Sequence, residues 1–454
     1  AQPFGNEWID YNQTYLKFEV GADGLYRINQ PTLSAAGVPL NSVTGANFQV
    51  FHNGVEVPIY TTVSGLLSSI DYIEFYAYQN DGWLDKRMYA DTNWQGNTHV
   101  SLINDTSTYF ITWNLQTNHQ RYIPISNNLT NHPPKEPYCW FTSTQAYHGN
   151  YNIYNNYNPG AQDFIGSPVF NSDMSAGEGY IDDLFYLTQL TKTLYTPSPY
   201  PGVAFNIKTA VDSKWPGLHQ IDVKMGGTTI SQIQNTDYSV GSINMNVAGN
   251  FIGNGTTNVV YSTVGYNNQV ENGVSWVELK YARKFDFDNK SQVLFSLNPS
   301  TSNQYVEIYN FDETQGIPVL YDMTRHYRLL PTVVNDTEKF VLPPCNVERQ
   351  CLLISNNTFN DIHVVPQLNA VHFIDYSMPA NQGNFIIIAN PVFYNDGNGN
   401  NFVDQYRIFK NSTGFQTIVA SIEDLYDEFA YGVELHPLAI RNFTDYIMAM
   451  WPNQ

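Results

Sequence analysis

Phe385-Ile386-Ile387-Ile388-Ala389 is an unbroken apolar run, and it opens a segment patterned unlike everything before it. A strand with one wet face alternates polar and apolar residues, whereas an uninterrupted run marks a strand buried on both faces, as in a parallel sheet. Beyond it, Phe402, Tyr406 and Phe409 recur at i, i+4 and i+7, the period of an amphipathic helix, and Gly414 stands where a helix C-terminal cap favours glycine. Phe415 to Ala420 reads as the next strand. A second helix is expected from Pro437, whose missing N–H suits a first helical turn, with Ile440, Phe443, Ile447 and Trp451 as its apolar stripe. Strand, helix, strand, helix over 384–454 is the opening of an α/β domain. Two strands do not close such a sheet, so the chain is expected to stop inside that domain.

Upstream the period changes to two. Tyr15-Leu16-Lys17-Phe18-Glu19-Val20 and Leu25-Tyr26-Arg27-Ile28 flank Gly21-Ala22-Asp23-Gly24, the pattern of a hairpin. Phe48 to Phe51 and Val55 to Ile59 flank a second turn at Asn53-Gly54, and Asp71 to Ala77 and Ser107 to Trp113 add strands. These make a first β domain over 1–130, with a linker from Asn118 to Lys135. Further strands at Val203 to Ile207, Gln220 to Lys224, Val259 to Tyr261 and Trp276 to Arg283 suggest a second β-sandwich over 138–300. Residues 304–380 add strands that either complete that sandwich or form a small third unit. The fold class expected is mostly β, in β-sandwich domains, followed by the start of an α/β domain.

Composition agrees. Charged residues make up only 14%, and 33 tyrosines and 26 phenylalanines favour strands over helices. The net charge of −20 repels a phosphate backbone, and no basic stripe interrupts it, so no nucleic acid is expected as a partner. No apolar run reaches the ~18 residues of a membrane-spanning helix. The opening Ala1-Gln2 suits a mature exported protein whose signal peptide has been removed, as well as a chain that never had one. Asn104-Asp105-Thr106 and Asn411-Ser412-Thr413 are acceptor sequences expected by chance in so Asn-rich a chain.

Few residues suggest chemistry. Of three cysteines, Cys345 and Cys351 are close enough to bridge a turn in an oxidising compartment, or to remain two buried thiols. Cys139 has His148 nine residues on, but a cysteine between strand residues reads first as core. His363 and His372 lie in strand-like stretches and read as packed histidines, and no pair of histidines has zinc-ligand spacing. Asp396-Gly397-Asn398-Gly399-Asn400 resembles the start of a calcium loop, yet Asn401 and Arg407 stand where an EF-hand needs Gly and Glu. A Gly/Asn turn is the simpler reading, and no cofactor is expected beyond an optional structural calcium. Tyr147, Tyr151, Tyr154 and Tyr157 form either an aromatic platform for a glycan or partner, or a loop pinned by its own tyrosines.

Two blocks carry a family resemblance. Asn384 to Pro391 resembles the first strand and turn of the gingipain-type cysteine peptidase domain. Ile422-Glu423-Asp424-Leu425-Tyr426-Asp427-Glu428-Phe429-Ala430-Tyr431-Gly432, followed by Ala439-Ile440-Arg441-Asn442-Phe443, is the more specific match. Gly24 to Ile28, Gly177-Glu178-Gly179-Tyr180, Trp276 to Leu279 and Pro318 to Thr324 resemble, in order, the N-terminal β region of the PorU-type sortase branch of that family. The resemblance implies a caspase-like α/β domain. It also implies a peptidase at the extracellular face of the outer membrane, serving the type IX secretion system. Such enzymes remove the C-terminal signal domain of secreted cargo and join the new end to anionic lipopolysaccharide through a Cys/His thioester mechanism. They work beside the outer-membrane barrel protein PorV and other attachment-complex subunits. The family's catalytic His precedes a Gly and its Cys follows later; here no cysteine follows Cys351, and His148-Gly149 lies far upstream. No catalytic residue is therefore assigned, and these 454 residues are expected to be inactive alone. The rival readings are a non-catalytic surface adhesin or glycan-binding protein with a relic peptidase domain, and a secreted gingipain-like protease.

Overall fold

The computed structural model describes residues 3–152, 157–162, 168–170, 173–186, 188–265, 270–314, 316–359 and 361–451. Two compact units emerge, and both are discontinuous in sequence: 1–80 with 103–121 and 362–454, and 81–102 with 122–361. They cut across the consecutive segments read from the sequence.

The first unit is a sandwich of two sheets plus the α/β opening. In one sheet Tyr15–Val20 pairs antiparallel with Ser107–Trp113, which pairs with Phe48–His52 and so to Val55–Val57. In the other, Gly24–Asn29 pairs with Tyr72–Ala77. The expected hairpin at Gly21–Gly24 is therefore corrected: the two strands are consecutive but belong to opposite sheets, because Phe18 and Val20 face Ile28 and Phe75 across one core. The turn at Asn53-Gly54 does close a two-residue hairpin, with φ of 50° and 77°, the left-handed pair such a tight turn requires. Phe385–Ala389 and Thr417–Ser421 pair in parallel, joined through the helix Phe402–Ser412. That helix starts on the Asn401 side chain, which accepts from the Asp404 N–H at 2.9 Å, and ends before Gly414 at φ 99°. Contrary to the sequence reading, Phe385–Ala389 is half-buried throughout rather than enclosed, since its sheet has just one partner strand among the described residues. A helix at Ile422–Phe429 precedes the expected one, here Leu438–Met450, and Ile440 of the expected stripe is 43% exposed.

The second unit is built on one nine-stranded sheet. Its central strands are Phe205–Lys214, Glu271–Arg283, Cys139–Ala146, Gln292–Leu297 and Arg349–Ser355. Two four-stranded sheets give it two hydrophobic cores, one around Val223, Tyr261 and Leu279, the other around Phe295, Ile308 and Leu353. The strands from Gln304 to Ser355 thus complete this architecture, whereas Ile362–Val364 and Asn369–Ala370 pair with Gly24–Asn29 and Tyr15–Val20 in the first unit. The expected linker contributes a short strand, Ile123–Pro124, paired in parallel with Tyr327–Leu329. Of the tyrosine series, Tyr151 lies in a strand, Asn150–Asn152, paired with Gly179–Ile181; Tyr154 falls outside the described residues. No described helix is long and apolar enough to cross a membrane.

Candidate functional site

The helix Ile422–Phe429 lies in the more specific of the two resembling blocks. Ser421 caps it, accepting from the Asp424 N–H, and Glu423 and Asp424 in the first turn complement the helix dipole. Asp427 and Glu428 are at the wrong end for anions, and they are 4% and 0% exposed. Each therefore needs partners, and the sandwich supplies them. The Lys17 ammonium donates to both Asp427 oxygens at 2.8 Å. Glu428 accepts from the Tyr11 hydroxyl at 2.6 Å, from Asn6 at 3.5 Å and from the Ile374 N–H at 3.1 Å. Burial still wins: it pushes Asp427 up to about 6 against the pull of Lys17, and Glu428 up to about 7 against its hydrogen bonds.

The residues after this helix dock on the same sheet. The Thr108 hydroxyl donates to the Gly432 carbonyl at 2.7 Å, and a Cβ on Gly432 would meet the Thr108 side chain at 2.4 Å. Gly432 also has φ 80°, so glycine is required twice over. Asn442, fully buried, donates to the Phe429 carbonyl at 2.7 Å and closes the helix end. The specific block is thus an anchoring device rather than reactive chemistry.

A cleft of about 420 Å³ lies at the carboxyl ends of the two parallel strands, lined by Tyr394, Asn401, Asp404, Arg407, Ser421 and Asp424. Open α/β sheets place their ligands at this end. Asp404 holds Arg407 at 2.6 Å, and burial raises Asp424, which His372 approaches at 3.7 Å. The cleft can bind and orient polar groups, but its lining contains no cysteine.

The three cysteines lie elsewhere, free and buried. Burial pushes Cys139 up to about 12 and Cys351 well above the ordinary thiol value, so neither holds the thiolate that nucleophilic attack needs. Cys351 sits in the strand Arg349–Ser355, and Cys345 bridges to Ser300 through its backbone. His148 is exposed. His363 is exposed at a strand edge and stacks on Tyr26 at 4.7 Å, and His372 is 76% exposed by side chain. Neither is the packed histidine expected. Asp396 accepts from the Asn398 and Asn400 N–H groups at 2.8 and 3.0 Å and is held down to about 2 by these bonds, the geometry of a self-satisfied turn. No cluster of three or more metal-ligating side chains occurs among the described residues.

Residues 378–454 match the model of Peptidase family C25. The crystal structure of dimeric latent PorU from Porphyromonas gingivalis is similar over 98% of this chain and 40% of its own, with a TM-score of 0.57 and 13% identity. At that identity the likeness is one of fold, and the chain spans well under half of PorU. A carbohydrate-binding module (CBM36-1) of a xylanase from the hindgut metagenome of Trinervitermes trinervoides aligns with 31% of this chain and 95% of its own, at 14% identity. Its TM-score of 0.19 is too low for a shared fold. No curated protein matches the sequence. The chain is therefore mostly β, PorU-like in fold, with a C25 peptidase domain beginning at its C-terminal segment.

Proposed function

We propose that this chain, carrying the opening of a C25 peptidase domain on a β scaffold, is the N-terminal portion of a cell-surface sortase of the type IX secretion system. In this reading the parent protein is a cysteine peptidase and transpeptidase at the extracellular face of the outer membrane. It removes the C-terminal signal domain of cargo and passes the new carboxyl end, as a thioester, to anionic lipopolysaccharide, working beside PorV and other attachment-complex subunits. A cysteine thiolate attacks the scissile carbonyl, a histidine moves the protons, and backbone N–H groups stabilise the oxyanion. Both side chains belong to sequence beyond Gln454, and residues 1–454 alone are inactive.

The observation that carries this reading is the shared core of the first unit. The C25-matched segment sinks Asp427, Glu428 and Phe429 into the same compact unit as residues 1–80, so sandwich and peptidase opening are one folding body. Lys17, Tyr11 and Thr108 of the sandwich hold the peptidase opening in place, as a scaffold that positions a peptidase domain requires.

The test uses the natural protein, including sequence after Gln454, against a substrate spanning a cargo–signal-domain junction. Cleavage abolished by replacing a cysteine beyond residue 454 supports the proposal. Digestion of unrelated folded proteins without junction preference would favour a secreted protease, and absence of any cleavage would favour an adhesin.

A further inference from the structure

Along the strand Gln189–Thr196 the period of two puts Leu190, Lys192 and Leu194 on one face. That face is the core side: Leu194 is fully buried, and so is Val259, which pairs with Lys192 across the neighbouring strand. A lysine in such a position ordinarily reaches along its stem to water. Lys192 does not. Its side chain is 14% exposed, the lowest value of any ion-paired lysine among the described residues, the next being Lys17 and Lys339 at 24%. Its Nζ pairs instead with Asp182 Oδ2, and burial pushes its pKa below the ordinary lysine value.

The surroundings hold this pair in place. The Asp182 N–H donates to the Val274 carbonyl at 2.9 Å and the Tyr147 N–H to the Ser275 carbonyl at 3.0 Å, so both residues are anchored to the strand Glu271–Arg283. The Tyr147 ring lies 4.4 Å from the Lys192 Nζ and walls it from solvent. That ring is fixed through Gln145, whose Oε1 accepts from the Tyr147 hydroxyl at 2.8 Å while its Nε2 donates to the Thr193 carbonyl at 2.6 Å. Asp182 Oδ2 is buried, and no hydrogen-bond donor besides the Lys192 ammonium reaches it among the described residues. An amine attacks a carboxyl group when the amine is neutral and the acid protonated. Water disfavours that state by solvating the ions, and enclosure in apolar surroundings favours it.

We propose that Lys192 and Asp182 are a modification site, at which the chain cross-links itself through an isopeptide bond between Nζ and Cγ. The ammonium gives up two protons, the Nζ–Cγ bond forms, the Cγ–Oδ2 bond breaks, and both protons leave with that oxygen as water. Charge sums to zero before and after, and the step needs no oxidant or co-reactant. Lys192 lies on the edge strand of a four-stranded sheet, whereas Asp182 is hydrogen-bonded to the nine-stranded sheet. The bond therefore staples the two layers that enclose Val223, Tyr261 and Leu279. It restricts the unfolded chain as a disulfide would, a tie that the three free, buried cysteines do not supply. The site stands independently of the peptidase reading.

Tryptic peptide mapping of the natural protein, denatured before digestion, tests it by mass spectrometry. Trypsin does not cut after an acylated lysine, so residues Glu136 to Lys208 are expected as one peptide, lighter than its sequence by one water. Backbone breaks between Asp182 and Lys192 are expected to release no fragment ions, because the cross-link holds both pieces together. Lys192→Arg and Asp182→Ala are each expected to restore the full mass and cleavage at position 192. The wild-type result decides the matter even if a variant fails to fold. Separate wild-type peptides Glu136 to Lys192 and Thr193 to Lys208 at full mass would overturn the proposal and leave an ion pair only. A loss of water that persists in Asp182→Ala would overturn it as well.

Discussion

The two halves of the peptidase opening are finished to different degrees. Residues 422–451 are set into the first unit: Leu425, Phe429, Phe443 and Trp451 are buried, and the charged groups that accompany them are paired. Residues 385–415 are not. Val392, Phe393, Phe402, Ile408 and Phe409 are each more than half exposed, and the strand Phe385–Ala389 is half-buried along its length. Apolar surface of this kind marks an interaction face, and in a parallel sheet the natural cover is more sheet and helix of the same domain. The difference teaches that the joint to the sandwich is complete within this chain, whereas the strand–helix half awaits neighbours.

The largest effects should fall in the finished half. Phe443→Ala removes a ring that packs on Tyr376 and Phe429 at 4.7 and 5.2 Å. It is expected to cost about 3–5 kcal/mol in chemical denaturation. Next comes Lys17→Met, which strands Asp427 and is expected to cost ~3 kcal/mol at pH 8 but less at pH 5, where Asp427 takes up a proton. A loss equal at both pH values would break the assignment of Lys17 as the counterion.

A smaller effect follows from proton linkage. Glu428 and Asp427 are raised to about 7 and about 6 from ordinary values of 4.5 and 3.8. Between these limits the native state binds more protons than the unfolded one, so their contribution is full below about pH 4 and is lost as pH rises through 6 and 7. Burial also raises Asp212, in the second unit, to about 8, so the total slope mixes both units. The difference between wild type and Glu428→Gln isolates the first: the variant should lose less stability from pH 5 to pH 8. An identical slope would show that Glu428 stays ionised.

The smallest effect is expected in the unfinished half, where Phe409→Ala, at a position 58% exposed, should change the stability of this chain by less than ~0.5 kcal/mol. A loss above 2 kcal/mol would erase the contrast between the halves.

Strand positions were legible because period-two alternation is local; sheet membership was not, because Tyr15–Val20 and Gly24–Asn29 look like a hairpin whichever sheet each joins. The helix Ile422–Phe429 carries a readable signal, Ser421 before it with Ile422, Leu425 and Phe429 at i, i+3 and i+7, beside the helix start at Pro437. Its buried acids left none. Lys17 is 410 positions from Asp427, and adjacent acids on a helix ordinarily mean a solvated face.

Under the proposed function, the reactive thiol of the parent protein lies beyond these residues. Its most direct test is to label the natural protein, with sequence after Gln454 present, with a peptide carrying a thiol-reactive warhead, and to locate the adduct by mass spectrometry. The account predicts modification of one cysteine beyond residue 454 and none at Cys139, Cys345 or Cys351. An adduct on any of those three, blocked by competing substrate, would contradict it.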